Sequence, residues 1–131
     1  MAELLELEGK VVGVILTKWA RKGGVEFPTP EDLPMQFAIH VRGLGKDVPP
    51  HAHYKVDAKK HDYFEFFYVE KGRMILELFD NDSKPWKSIE MSTGDIGMIS
   101  CAHAIKFLEE TSLVEVKPGP YEGRDKDKYD L

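Results

Sequence analysis

The chain has 131 residues, 42% hydrophobic and 31% charged, enough for one domain with a real core and ordinary for a soluble globular protein. A formal net charge of −5 argues against general nucleic-acid binding, which needs a basic face. A single cysteine excludes an intrachain disulfide and suits a reducing compartment.

No apolar run approaches the roughly 18 residues needed to span a bilayer. The acidic start, MAELLELEGK, lacks the basic-then-apolar layout of a signal peptide. A cytoplasmic protein with no membrane partner is expected. Leu4 to Glu8 alternates and reads as a short strand or a ragged helical turn, broken by Gly9. Val11 to Lys18 is β-branched and apolar and predicts a strand. Gly23-Gly24 reads as a turn, and Val25 to Leu33, with Pro28 and Pro30, as a loop. Met35 to Arg42 predicts a strand with Met35, Phe37, Ile39 and Val41 on one face. His40 lies on the other face and reads as a surface or hydrogen-bonded histidine.

The stretch from Gly45 to Gly72, GKDVPPHAHYKVDAKKHDYFEFFYVEKG, holds three of the five histidines. On a strand, His51 and His53 would point to one face, as two ligands converging on a metal do. Glu65 opens the aromatic run EFFYV, which has strong strand character. Glu65, Phe67 and Val69 then share an inward face, where a carboxylate is costly unless paired or metal-bound. Phe66 and Tyr68 face outward and suggest a partner surface.

After Gly72, Arg73 to Phe79 reads as the return strand of a hairpin, and Asp80 to Ser83 as a turn. Trp86 to Met91 alternates. Gly94-Asp95 turns into a segment in which Cys101, His103, Ile105 and Phe107 share a face. Cys101 reads as a small buried apolar side chain, with an extra ligand or a redox-sensitive thiol as the sharper readings. Leu113 to Lys117 is the last clear strand, and the chain from Glu122 is nearly all charged. Many short strands with regular turns predict an all-β sandwich or barrel. Three histidines and a glutamate on inward faces, His51, His53, Glu65 and His103, make a first shell for a divalent metal.

This pattern resembles the cupin superfamily, small β-barrels that usually hold one metal. Gly45, five residues, then His51 and His53 match the first half of the first cupin motif, and Glu65, six residues, then Gly72 match its second half. The eleven residues between His53 and Glu65 exceed the motif's gap. Three residues separate His61 from Glu65, the spacing of the second motif histidine, so His61 competes as a ligand, although Lys59 occupies the place of the first. Gly94-Asp95 and His103 match the second motif, with Ser100 where proline is expected. The long-spaced HxH…E and the closing Glu115-Val116-Lys117-Pro118-Gly119-Pro120-Tyr121 resemble a group of small single-domain bacterial cupins of mostly unassigned function. Such proteins resemble, and sometimes accompany, enzymes of surface-polysaccharide sugar biosynthesis.

The resemblance implies a double-stranded β-helix, or jelly-roll barrel, over residues 1–121, a charged tail over 122–131, and a homodimer. It implies a divalent ion (iron, manganese, nickel or zinc) with open positions for a small polar ligand such as a sugar or sugar nucleotide. His61 and Tyr63 are the nearest candidates for an acid or base beside it. Two other readings stand: a metal-free enzyme resembling sugar-nucleotide isomerases, and a non-catalytic small-molecule binding module.

Overall fold

The computed structural model describes residues 2–18, 23–53, 63–118, 123, 125 and 129–131. The chain divides into two compact units, one of Met1–Trp19 with Tyr63–Leu131 and one of Ala20–Asp62. The elements with described bounds are strands, and Asp125 is helical. In the larger unit they are β1 (Ala2–Leu7), β2 (Lys10–Leu16), β5 (Glu65–Lys71), β6 (Arg73–Phe79), β7 (Pro85–Ser92), β8 (Ile96–Ile99), β9 (His103–Phe107) and β10 (Ser112–Val116). The smaller unit holds β3 (Gly24–Glu26) and β4 (Ile39–Val41). Every pairing is antiparallel. Among the described residues no helix is long and apolar enough to cross a membrane.

The larger unit is built of two sheets, one ordered β1-β2-β8-β5-β10 and one ordered β7-β6-β9. One core joins them: Leu5, Ile15, Phe67, Val69 and Ile99 of the first pack with Met74, Leu76, Leu78, Ile89 and Met91 of the second. The period-2 alternation is clean on β6, where Met74, Leu76 and Leu78 are at most 1% exposed and their neighbours face out.

Two expectations for the larger unit change. Arg73–Phe79 is a strand, but it does not return beside β5; it belongs to the other sheet and pairs with β7 and β9. A tight hairpin wants a loop of two or more residues. Gly72 alone, at φ 111°, turns a corner from one sheet into the other. The segment through Cys101 and His103 is two strands rather than one. After β8 the Ser100 amide donates to the Val12 carbonyl at 2.7 Å, and the Phe79 amide takes the Ala102 carbonyl at 2.9 Å, so the chain leaves one sheet and enters the other.

In the smaller unit, β3 falls inside the expected loop and β4 keeps only the end of the expected strand. The Phe37 amide donates to Thr29 Oγ1 at 3.2 Å, and Gln36 Nε2 donates to the carbonyls of Pro30 and Leu33 at 2.9 and 3.0 Å. These side-chain bonds compete with a ladder there. His40 is exposed and accepts from Arg42 Nε at 3.1 Å.

Asp95 explains the Gly94-Asp95 pair structurally. Its carboxylate is only 4% exposed as a residue and accepts from the amides of Ser92 at 2.7 Å and Lys18 at 3.1 Å. Asp95→Ala would leave both amides short of their acceptor, at about 1–3 kcal/mol each. A loss of roughly 2–6 kcal/mol in urea unfolding is expected; an unchanged midpoint would show that water replaces the carboxylate.

Candidate metal centre

Alternation on β5 decides where Glu65 points. Phe67 is 1% exposed and Val69 0%, so Glu65, in phase with them, lies on the core side. On β9 the register sets His103 opposite Leu78 and Ile105 opposite Leu76, which puts the imidazole on the core side of the facing sheet. The two side chains meet there, with His103 Nε2 3.1 Å from Glu65 Oε2 and side chains 25% and 12% exposed. The Phe67 ring lies edge-on to the imidazole at 5.8 Å between centroids.

The other ring nitrogen fixes the tautomer. His103 Nδ1 lies 3.0 Å from the Cys101 carbonyl, which can only accept, so Nδ1 carries the hydrogen. Nε2 then faces Glu65 Oε2, a buried oxygen with no hydrogen-bond partner among the described residues. The two atoms are close enough to attract and are not aligned for a hydrogen bond. A neutral imidazole would set a lone pair against a carboxylate oxygen, so either a proton shared by the pair or a cation that both atoms face must offset the repulsion.

The imidazole holds the Glu65 carboxyl below its usual 4.5 against the push of burial, with help from Glu115 and Lys117. Burial pulls His103 down, but Glu65, the Cys101 carbonyl and Glu115 outweigh it and hold the imidazole above 6.5. In the metal-free protein, stability from Glu65 is present above 4.5 and lost as pH falls through its lowered folded value. Stability from His103 is full below 6.5 and is lost as pH rises through its raised folded value. Urea midpoints in chelator are expected to peak between these values and fall on both sides. His103→Ala should flatten the alkaline limb, and an alkaline limb that persists in the variant would assign it to another group.

A cleft of about 570 Å³ opens on the pair, lined also by Tyr63, Phe67, Cys101, Glu115 and Tyr129. Tyr63 is 42% exposed. Cys101 packs against the core, and burial pushes its thiol up to about 11, so at neutral pH it stands protonated and unreactive.

His51 and His53 belong to the smaller unit and lie outside any strand. Both are exposed. Their rings still meet, edge to face at 5.0 Å, and His51 Nδ1 is 2.8 Å from the Pro49 carbonyl, the second-partner arrangement typical of ligating histidines. His61 lies outside the described residues, as do Gly119 to Tyr121 of the closing stretch. Among the described residues no group of three or more His, Cys, Asp or Glu side chains is placed to hold a metal. The structure thus brings Glu65 and His103 together, and His51 and His53 together.

Glu115 and Tyr129 are the cleft residues that sequence reading misses. Glu115 had a signal: it is in phase with Leu113, which packs on the core, and it lines the cleft while remaining exposed. Tyr129 sits among charged residues and gives no periodic signal at all.

No protein-family model, curated protein or solved structure matches the chain.

Proposed function

We propose that the chain is a metal-binding cupin, a jelly-roll barrel in which Glu65, His103, His51 and His53 hold one divalent ion and which acts on a small polar molecule such as a sugar or sugar nucleotide. The observation that carries this reading is the His103 geometry. Its Nδ1 is spent on the Cys101 carbonyl, and its Nε2 shares a cleft with an orphaned buried carboxylate oxygen. A backbone carbonyl behind the imidazole and a carboxylate beside its free nitrogen are what a ligating pair presents. The donor set, imidazole and carboxylate, suits iron, manganese, nickel or zinc.

A bound ion would supply Lewis-acid polarisation of a ligand oxygen. The chain's own residues do the rest. Phe67 packs the imidazole in place, the Cys101 carbonyl fixes its tautomer, and Tyr63 offers a phenol at the cleft to move a proton. Tyr68, Val114 and Val116, at 36, 49 and 50% exposed, sit on the outer face near the edge strand β10 and support a homodimer through that sheet.

The same pair supports a second reading, a metal-free acid–base dyad, since a protonated His103 also satisfies Glu65. Metal content by plasma mass spectrometry, beside His103→Ala, separates the two. Near-stoichiometric metal that the variant loses is expected. No metal in either protein, even after reconstitution with all four ions, would leave the dyad. Loss of metal in His61→Ala but not in His51→Ala would move the first ligand from His51 to His61.

A further inference from the structure

We infer that Lys117 is a built-in rival of the metal: its ammonium stands at the carboxylates a divalent ion would take, and so sets how loosely that ion is held. This deepens the proposed function and rests on it, at the Glu65–His103 pair.

The register of β10 on β5 brings Lys117 there. Leu113 pairs with Val69, Glu115 with Phe67 and Val116 with Phe66, and the next step of the same register sets Lys117 against Glu65. Leu113, Glu115 and Lys117 therefore share the face of the sheet on which Val69, Phe67 and Glu65 point to the core. The Lys117 side chain is only 24% exposed, and its Nζ lies 4.0 Å from Glu115 Oε1. Glu115 lines the cleft beside Glu65 and His103. A lysine seldom sinks this far into a protein without a carboxylate to meet it. Its charge is felt at Glu65 too. His103 does most to hold that carboxyl below its usual 4.5, and Lys117 adds to the effect.

An ion entering the site changes the two cations differently. Ligation takes the neutral imidazole, so any second proton on His103 leaves as the metal arrives. The Lys117 charge does not leave. It draws on the carboxylates that must now serve the metal, and it repels the ion at short range. Further histidine ligands bind as neutral rings and do not offset it. The comparison that matters is one positive charge present or absent beside the ion, with the rest of the cleft unchanged.

The test is zinc titration of the full chain by isothermal calorimetry at neutral pH and low ionic strength. Lys117→Met, with Lys117→Gln as a second neutral variant, is expected to bind zinc about fivefold or more tightly than wild type. Lys117→Arg keeps the charge and should stay within about twofold of wild type. Lys71→Met removes an exposed lysine at the far end of β5 and should also stay within about twofold, since exposed charges at that distance are screened. A purely structural role for Lys117 predicts the opposite sign, because a loosened β10 would weaken the site. Zinc bound by wild type, and bound equally or more weakly by both neutral variants, overturns the role of Lys117 and leaves the metal centre. A gain matched by Lys71→Met overturns it as well, by assigning the effect to net charge. Failure of wild type and both neutral variants to bind zinc sinks the metal centre and the inference together.

Discussion

Glu65→Ala is expected to lower metal affinity by more than about 100-fold, the upper end of what is lost when only a ligand's hydrogen-bond partner is removed. The variant should remain folded, because Glu65 sits at the first position of β5 and the core positions Phe67 and Val69 follow it untouched. It should also leave a mark that does not depend on metal. In the metal-free wild-type protein the His103 imidazole is held above 6.5 although burial pulls it down, and Glu65 is the largest opposing influence. Without Glu65 the pull of burial gains the upper hand, and the His103 pKa, followed by the imidazole ring protons in NMR, should fall. A pKa that stays up in Glu65→Ala would place the stabilising charge elsewhere. Metal affinity that stays within about tenfold of wild type would remove Glu65 from the ligand set.

Gly72→Ala is expected to be the most destabilising single methyl. At φ 111° an L side chain is strained, at about 1–3 kcal/mol. An added Cβ would also come 2.5 Å from Thr111 Oγ1 and 2.7 Å from the Glu110 carbonyl oxygen. Because the second neighbour is backbone, the loop must move, and overpacking of this kind costs about 1–3 kcal/mol more. A total of roughly 3–5 kcal/mol is a large share of a small domain's stability. Gly94→Ala is the control. Its φ of 89° carries strain, but nothing lies within 4 Å of the added Cβ, so it should lose only the strain. Equal losses in urea unfolding of the two variants would mean that the Thr111 loop yields freely.

Much of the fold is legible in the sequence because alternation is a local signal. The phases of β5 and β6 follow from EFFYV and MILEL, and Glu65 and His103 were both placed inward by phase alone. Which strand pairs with which is not local. Gly72 reads as a hairpin turn because a lone glycine between two apolar runs is ambiguous between folding back and crossing over. Only the distant partners of β6, namely β7 and β9, settle it. The split of β8 from β9 was hidden for the same reason: the turn at Ser100 is held by Val12, far away in sequence. The His51–His53 pair was legible as a pair and not as a strand. Its proximity comes from spacing, while its backbone answers to Pro49 and Pro50. The His103 tautomer was not legible at all, since it depends on a carbonyl two residues away that only the turn brings under the ring.

The corner at Gly72 has a consequence for how this chain can change. Gly72 donates to Thr93 Oγ1 and accepts from the Thr93 amide, and Arg73 next to it accepts from Leu108 and from the Thr111 hydroxyl. Three separate connections are therefore laced together at one end of the sandwich. Glu65 and His103 stand at the opposite ends of β5 and β9, where the cleft opens. Amide exchange should be slowest around the laced end and quickest around the cleft. Substitutions around the cleft can alter what is bound without loosening the lacing, so such a scaffold can shift its ligand preference over generations while its folding stays nearly constant.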